Sequence, residues 1–428
     1  MLRRLFPNVY EGWLVVGASG VIVLVVAATF FYGFGTIYNE VRDEFGWRNS
    51  DTALAFSLRN EVGGIGAIFV GIAIDRAGPR NILYVGISVA AAGVLAMSFM
   101  QELWHFYLVM IVVALGSSAA GGQVGLTAIA TWFEERRAFA MSLMTLGGGL
   151  GGVFVVLIGL LVEAAGWRWA LRVLAGVMLI VGLLVGSNVR ARPPRHPQPL
   201  DGRRRDPLGA ADDEIEEAEQ WGVPVRAAIT SRAFLLLSLA MLGSSFGFVA
   251  LVVHQIPYLE TELGLSKALA SSTVAVFTLS SIFGRVGFGY LADRYPKRLM
   301  MAVAVGMLSV GLLVLAAAPN VWVAILGIAI AAPGFGGTIP LRPSMAADYF
   351  GTRYFGTING TMQFLSTTGG AAGPWVVGRI VDVNGDYTLG WVIAAAVVAA
   401  VGIPAALAAT TPTRLVERHR PVASPAVG

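Results

Sequence analysis

Long apolar runs recur along the whole chain, each bounded by charges, glycines or prolines. A helix needs about 20 apolar residues to cross the hydrocarbon of a bilayer, so each run predicts a membrane-spanning helix. The pattern predicts an all-α membrane protein with one long polar connection after its sixth span. The twelve predicted spans are residues 13–38, 50–74, 82–100, 104–132, 138–163, 167–188, 232–259, 266–292, 298–317, 321–349, 354–380 and 386–410.

The two halves of the chain repeat one another. The loop after the second span reads GIAIDRAGPR from Gly71, and the loop after the eighth reads GYLADRYPKR from Gly289, which is 218 residues later. Many secondary transporters are built from two repeats of this kind. We therefore expect two pseudo-symmetric six-helix bundles, at 1–188 and 232–428, joined by a cytoplasmic linker at 189–231. The second bundle would end in a cytoplasmic tail.

Composition narrows the class of protein. Of the 428 residues, 56% are hydrophobic and 13% are charged, whereas soluble domains carry roughly 25% charge. The chain has no cysteine, its four histidines have no metal-ligand spacing, and no phosphate-binding loop is present. We therefore expect no enzyme activity, no cofactor and no metal. The basic residues lie at span ends and not in a nucleic-acid-binding patch, so the expected partners are the bilayer and a small solute, with the chain as a monomer.

Basic residues in the short loops predict the orientation. Thirteen arginines and lysines lie on the side that holds both termini, and five lie on the other side. An excess of positive charge marks the cytoplasmic face. We expect a multi-pass protein of the inner (plasma) membrane with both termini in the cytoplasm.

The loop decapeptides and the twelve-span plan resemble the major facilitator superfamily, whose loop signature is Gly-x-x-x-Asp-Arg-x-Gly-x-Arg. The first copy matches at every position, and the second has Pro296 in place of the inner glycine. The resemblance implies the major facilitator fold. It also implies a latch that holds the cytoplasmic ends of the two halves together, with the Asp near a helix N-terminus. The residues that it assigns to this latch are Asp75, Arg76, Arg80, Asp293, Arg294 and Arg298.

Three further stretches resemble the monocarboxylate transporters and the related oxalate/formate exchangers of that superfamily. They are YEGW from Tyr10, WFEERR from Trp132 and YFG from Tyr349. This resemblance implies transport of a small organic anion, with a substrate-binding arginine in the eighth span.

The chain departs from these relatives at two places. Ser281 stands where monocarboxylate transporters carry an aspartate four residues before that arginine, and Asn359 and Gln363 are the polar groups of the span in which oxalate exchangers use a lysine. In those relatives, the resemblance implies that the proton relay depends on the first position and the handling of a dianion on the second.

Ionisable side chains inside the spans are candidate functional residues, because charge in the hydrocarbon is costly. Arg59, Arg285 and Arg342 lie deep in their spans, and Glu61 is the one deep carboxylate. At least two arginines then need another anion, which predicts substrate binding, with Arg285 ahead of Arg342 and Arg59. His254 is either a substrate-binding or proton-coupling residue or a histidine whose hydrogen bonds are satisfied in the core.

Neutral polar and aromatic side chains complete the predicted site. Gln123, Asn359 and Gln363 are explained by helix–helix hydrogen bonds as readily as by ligand contact. Tyr32 either forms a wall of the site or packs in the core. The predicted substrate-binding residues are Arg285, Arg342, Arg59, His254, Gln123, Tyr32, Asn359 and Gln363. The predicted proton-coupling residues are Glu61 and His254.

These observations predict a secondary active transporter that moves a small organic anion by alternating access with proton coupling. The expected substrate is a monocarboxylate such as a short hydroxy or keto acid. The alternatives are an anion exchanger of the oxalate/formate type, a drug or cation exporter, and a membrane sensor that does not transport. The excess of deep arginines argues against a cation site, and flux into liposomes separates a transporter from a sensor.

Overall fold

A computed structural model describes residues 8–193, 196, 198, 200–202 and 221–420. Within these ranges the description leaves out the side chains of residues 31, 32, 35, 36, 38, 39, 49–53, 56 and 57. The described residues are mainly helical, and no β-strand occurs among them.

The chain divides into two compact units. Unit 1 comprises Met1–Gly222, Gly351–Thr361 and Arg420–Gly428, and unit 2 comprises Val223–Phe350 and Met362–His419. Unit 1 therefore includes a short segment that follows the tenth predicted span in the sequence.

Unit 1 is built from the first six predicted spans. Its loops are tight where glycine permits: Gly78 has φ +80°, and Pro79 then opens the next helix. Gly166, at φ +79°, breaks the last long helix between the fifth and sixth predicted spans. The helices are α1 (Glu11–Val26), a π-helical turn (Ala27–Tyr32), α2 (Gly33–Phe45), α3 (Asn49–Ala77), α4 (Pro79–Met97), α5 (Leu103–Ala120), α6 (Gly122–Trp132), α7 (Arg137–Leu150), α8 (Val155–Gly186) and 3-10 turns at Gly151–Phe154 and Leu200–Gly202.

Unit 2 contains the helices of the second half. The first residues of α14, through Thr361, group with unit 1. The helices are α9 (Val225–Ile229), α10 (Arg232–Thr261), α11 (Lys267–Ala292), α12 (Lys297–Ala316), α13 (Val321–Phe350), α14 (Phe355–Asn384), α15 (Thr388–Val397), a π-helical turn (Val398–Gly402), α16 (Ile403–Ala408) and α17 (Thr413–His419).

All twelve predicted spans coincide with helices. Nine helical segments of the described chain are long and apolar enough to cross a membrane. One of these, Arg137–Gly186, has 50 residues and holds two predicted spans. The remaining two, 50–74 and 354–380, are the more polar helices α3 and α14. The hydrophobic pattern therefore predicted the helices at all twelve positions, with ends shifted by a few residues.

Helices α11 and α13 of unit 2 pack against each other through glycines. A Cβ on Gly284 would lie 2.2 Å from the backbone oxygen of Pro333, and a Cβ on Gly336 would lie 2.3 Å from the backbone oxygen of Ser281. Small residues let membrane helices approach this closely. This contact fixes the spacing of the two helices that carry the candidate arginines of unit 2.

We expect Gly284→Ala to lower the stability of unit 2 by about 1–3 kcal/mol, the usual cost of overpacking, because the added methyl group meets a backbone atom. Gly287→Ala on the same helix is the matched control, since a Cβ there meets nothing within 4 Å. Thermal unfolding of both purified variants in detergent measures the difference. Equal melting temperatures would show that the helices do not depend on this contact.

Candidate functional site

The carboxylate of Asp75 caps the N-terminal end of α14 within unit 1. Its Oδ1 accepts a hydrogen bond from the backbone N–H of Gly356 at 2.8 Å. Its Oδ2 accepts from the backbone N–H of Thr357 at 2.8 Å and from the Thr357 hydroxyl at 2.6 Å. A carboxylate is stabilised there because the first N–H groups of a helix lack intrahelical partners and the helix dipole is positive at this end. The role of Asp75 as a latch stays a prediction.

The other latch candidates lie at helix ends. The Arg80 guanidinium lies 5.6 Å from the ring centroid of Tyr84, and the Arg294 guanidinium lies 3.5 Å from that of Tyr290. Both arginines therefore stack on a tyrosine one helical turn away. Arg76 lies in the last turn of α3, Asp293 directly follows α11, and Arg298 is in the first turn of α12.

Gln123 of α6 forms two hydrogen bonds through its side-chain amide. Its Nε2 donates to the backbone oxygen of Ala67 at 3.1 Å and to that of Gly356 at 2.9 Å. These contacts tie α6 to α3 and to the first turn of α14 inside unit 1. They favour the helix-packing interpretation of Gln123 over ligand binding.

Arg59 of α3 reaches the π-helical turn of the first span. Its Nη1 donates to the backbone oxygen of Phe30 at 3.3 Å, and its guanidinium lies 6.0 Å from the Phe30 ring centroid. Turns of this kind are frequent at functional sites. Glu61, two residues further on, has an exposed side chain. Tyr32 belongs to the same turn, but its side chain lies outside the described part of the structure.

His254 of α10 has a hydrogen-bond partner at each ring nitrogen. Its Nε2 lies 2.9 Å from the backbone oxygen of Pro374, and its Nδ1 lies 3.4 Å from the Tyr387 hydroxyl. A carbonyl oxygen only accepts, so Nε2 donates and Nδ1 of the neutral ring accepts from the tyrosine. A proton can therefore occupy Nδ1 only if the ring gives up the hydrogen bond that it accepts from the Tyr387 hydroxyl. The backbone N–H of Tyr387 donates in turn to Glu262, whose pKa is raised by burial.

Arg342 lies on a partially exposed stripe of α13. Between residues 331 and 347, only Pro333, Phe335, Ile339 and Arg342 keep intermediate exposure, and every other residue is buried. The last three are spaced four and three residues apart, so they share one helix face. The Nε of Arg342 is enclosed and has no hydrogen-bond partner in the described chain.

Arg285 lies on α11 beside the glycine contact with α13, and its side chain is partially exposed. No aspartate or glutamate occurs in α11, and the first one in α13 is Asp348, which pairs with Lys297 at 2.5 Å. Two guanidinium groups thus lie on packed helices whose deep segments supply no carboxylate.

Asn359 and Gln363 lie one helical turn apart on α14. Asn359 is buried, and its Oδ1 has no hydrogen-bond partner among the residues that the structure describes. Gln363 is partially exposed. Asn359 belongs to unit 1 and Gln363 to unit 2.

A charged cluster that sequence reasoning missed lies at the start of α1. The carboxylate of Glu11 forms an ion pair with Arg190, and its Oε2 lies 3.1 Å from Nε2 of His196. Both partners belong to the predicted linker. An acidic residue at the start of an apolar span was the one available signal, and it gave no indication of these partners.

Asp201 of the predicted linker is also part of unit 1. Its buried carboxylate accepts hydrogen bonds from the backbone N–H groups of Glu134, Glu135 and Arg136 at 3.1, 3.0 and 3.1 Å. These three residues immediately precede α7, so Asp201 fixes the backbone that leads into that helix. The described linker residues up to 202 therefore pack on the bundle that they follow.

Known proteins match the chain over most of its length. The family model of the Major Facilitator Superfamily matches residues 20–374 and 237–427. Monocarboxylate transporter 13 of Rattus norvegicus is 25% identical over 397 residues, which are 91% of this chain and 87% of that protein. The fujikurins efflux protein of Gibberella fujikuroi is 31% identical over 246 residues, 57% of this chain and 48% of that protein. The crystal structure of the transporter FucP in its outward conformation has a TM-score of 0.73 at 15% identity and covers 93% of this chain and 98% of its own.

Proposed function

Because the chain belongs to the Major Facilitator Superfamily of membrane transporters, which are not enzymes, we propose that it moves a small organic anion by alternating access. The substrate class is a monocarboxylate, the coupling ion is the proton, and the working form is a monomer in the inner membrane with both termini cytoplasmic. The similarity to a monocarboxylate transporter supports the substrate class.

One observation carries this proposal. Arg342 lies on a partially exposed face of α13 with its Nε enclosed and unbonded in the described chain, and Arg285 lies on the adjoining helix. A carboxylate that leaves water must regain hydrogen bonds, and a guanidinium offers a planar fork that binds it through two parallel bonds. On α13 no acid precedes Asp348, which supports a substrate carboxylate as the anion at Arg342.

Labelled carboxylates in proteoliposomes, with and without a pH gradient, test the proposed function. We expect accumulation that depends on an acidic outside compartment. Counterflow without gradient-driven uptake would support an exchanger instead. Binding without any flux would support the sensor, and flux of organic cations alone would support an exporter. The similarity to an efflux protein makes both directions of flux worth measuring.

For the coupled proton, we expect Glu61→Gln to abolish uptake driven by a pH gradient and to spare counterflow exchange. The side chain of Glu61 is exposed on α3, whereas both nitrogens of neutral His254 are already hydrogen-bonded. Glu163→Gln, at another exposed glutamate, is the matched control. If gradient-driven uptake persists in both Glu61→Gln and His254→Gln, neither residue carries the proton.

A further inference from the structure

Phe335, which shares a face of α13 with Arg342, belongs to an aromatic cluster of three helices. We use this name for Phe248, Phe277 and Phe335 of unit 2. The rings of Phe248 and Phe335 are stacked, with centroids 3.4 Å apart and planes 4° apart, and the Phe248 ring lies 5.7 Å from that of Phe277. Phe248 and Phe335 both keep partial exposure. Phe335 belongs to the stripe of α13 that is not buried between residues 331 and 347.

The stripe from the arginine to the cluster is apolar. Phe335 is seven residues from Arg342, or about 10 Å along the helix axis, and Ile339 is three residues away, or about 4.5 Å. Side chains on a helix lean toward its N-terminus, so the arginine side chain leans toward Ile339 and Phe335. Arg342 therefore stands at one end of an apolar strip of residue positions that spans about 10 Å along the helix axis and ends at the ring of Phe335.

We propose that the transported anion has a bulky apolar or aromatic body and is not a short hydroxy or keto acid. This inference rests on the proposed function, because it assigns the carboxylate of the substrate to the arginines. The hydrocarbon part then lies along Ile339 and reaches the aromatic cluster. A three-carbon acid extends only about 3 Å beyond its carboxylate, since a carbon–carbon bond is about 1.5 Å, whereas the strip spans about 10 Å.

The gain from covering the rings comes from the hydrophobic effect. Each buried methylene contributes about 0.8 kcal/mol, or roughly a fourfold gain in affinity, and an aromatic ring covers more area than one methylene. We therefore expect a preference of about tenfold or more for a phenyl-substituted acid over an unsubstituted acid of the same charge.

Equilibrium binding of 3-phenylpropionate and propionate to the purified protein tests this inference. The wild type should bind 3-phenylpropionate about tenfold or more tightly than propionate. Phe335→Ala should reduce this ratio to about threefold or less by weakening 3-phenylpropionate alone. Phe283→Ala, which removes a ring that is 75% exposed on α11, should keep the wild-type ratio. Phe335→Leu preserves more of the volume and should give an intermediate ratio if the alanine variant does not fold.

The outcomes separate this inference from the proposed function. Equal affinities for the two acids in the wild type, or an unchanged ratio in both Phe335 variants, would overturn the apolar-body inference and leave carboxylate transport intact. Binding of neutral 3-phenylpropionamide as tightly as the acid would overturn the assignment of the arginines, and the proposed function with it. Failure of the wild type to bind either acid would overturn both.

Discussion

Arg285→Ala abolishes carboxylate binding, and Arg285→Lys lowers the apparent affinity strongly, if the arginine of α11 holds the substrate. Removing one partner of a buried charge pair typically costs about 2–5 kcal/mol, which corresponds to roughly 30-fold to several-thousand-fold in affinity. Lysine keeps the charge but is a single point donor without the planar fork, so it recovers only part of the loss. Both variants should still insert and fold.

The glycine contact between α11 and α13 makes this a sharp test. Because the backbones of α11 and α13 approach closely where Gly284 faces Pro333, a shift of α11 toward α13 that would bring another donor into place is opposed. Arg379→Ala, at an exposed arginine of α14, is the matched control. Binding of a carboxylate to purified Arg285→Ala at near wild-type affinity would remove Arg285 from the site and leave Arg342 and Arg59 as candidates.

Asp75→Asn is expected to slow the transport cycle about tenfold or more while leaving substrate affinity nearly unchanged. Hydrogen bonds to a charged group contribute about 1.5–3 kcal/mol each. The side-chain amide of the asparagine retains one acceptor oxygen, but its NH2 group then faces the N–H and the hydroxyl of Thr357. Those two groups donate to the carboxylate in the wild type, so they lose their acceptor. The conformation that contains these bonds then becomes less populated, and every cycle that passes through it is slower.

Asp382→Asn, at an exposed position on the same helix α14, is the control for this second experiment. Counterflow rates in proteoliposomes and equilibrium binding in detergent should be measured on the same preparations. A variant that folds normally but loses binding would show that Asp75 acts on the site and not on the conformational change.

The pattern of apolar runs was sufficient to predict the helices. The family match confirms the major facilitator fold. Apolar runs bounded by charges, glycines and prolines predicted twelve spans, and all twelve coincide with helices, because a bilayer accepts only segments whose backbone hydrogen bonds close internally. The two loop decapeptides, each with an Asp-Arg pair, added the resemblance to the superfamily. None of these signals depends on contacts between residues distant in the sequence.

The partners of individual polar side chains could not be predicted in this way. Asp75 bonds to residues 281 and 282 positions away, and Gln123 bonds to a carbonyl 233 positions away. No local pattern marks such a pair, because each partner is an ordinary backbone group. For the same reason the sequence suggests that the linker residues Arg190 and Asp201 are solvent-exposed, although both pair with other residues of unit 1.

Unit 1 includes the segment Gly351–Thr361, which is synthesised long after the other helices of that unit. Asp75 and Gln123 are translated long before Gly356 and Thr357, which supply their hydrogen-bond partners. A carboxylate and an amide in a membrane bundle are costly without such partners. The first bundle therefore reaches its final hydrogen bonding only after the start of the eleventh span has been synthesised. A nascent chain that stalls before residue 356 leaves both groups without these bonds.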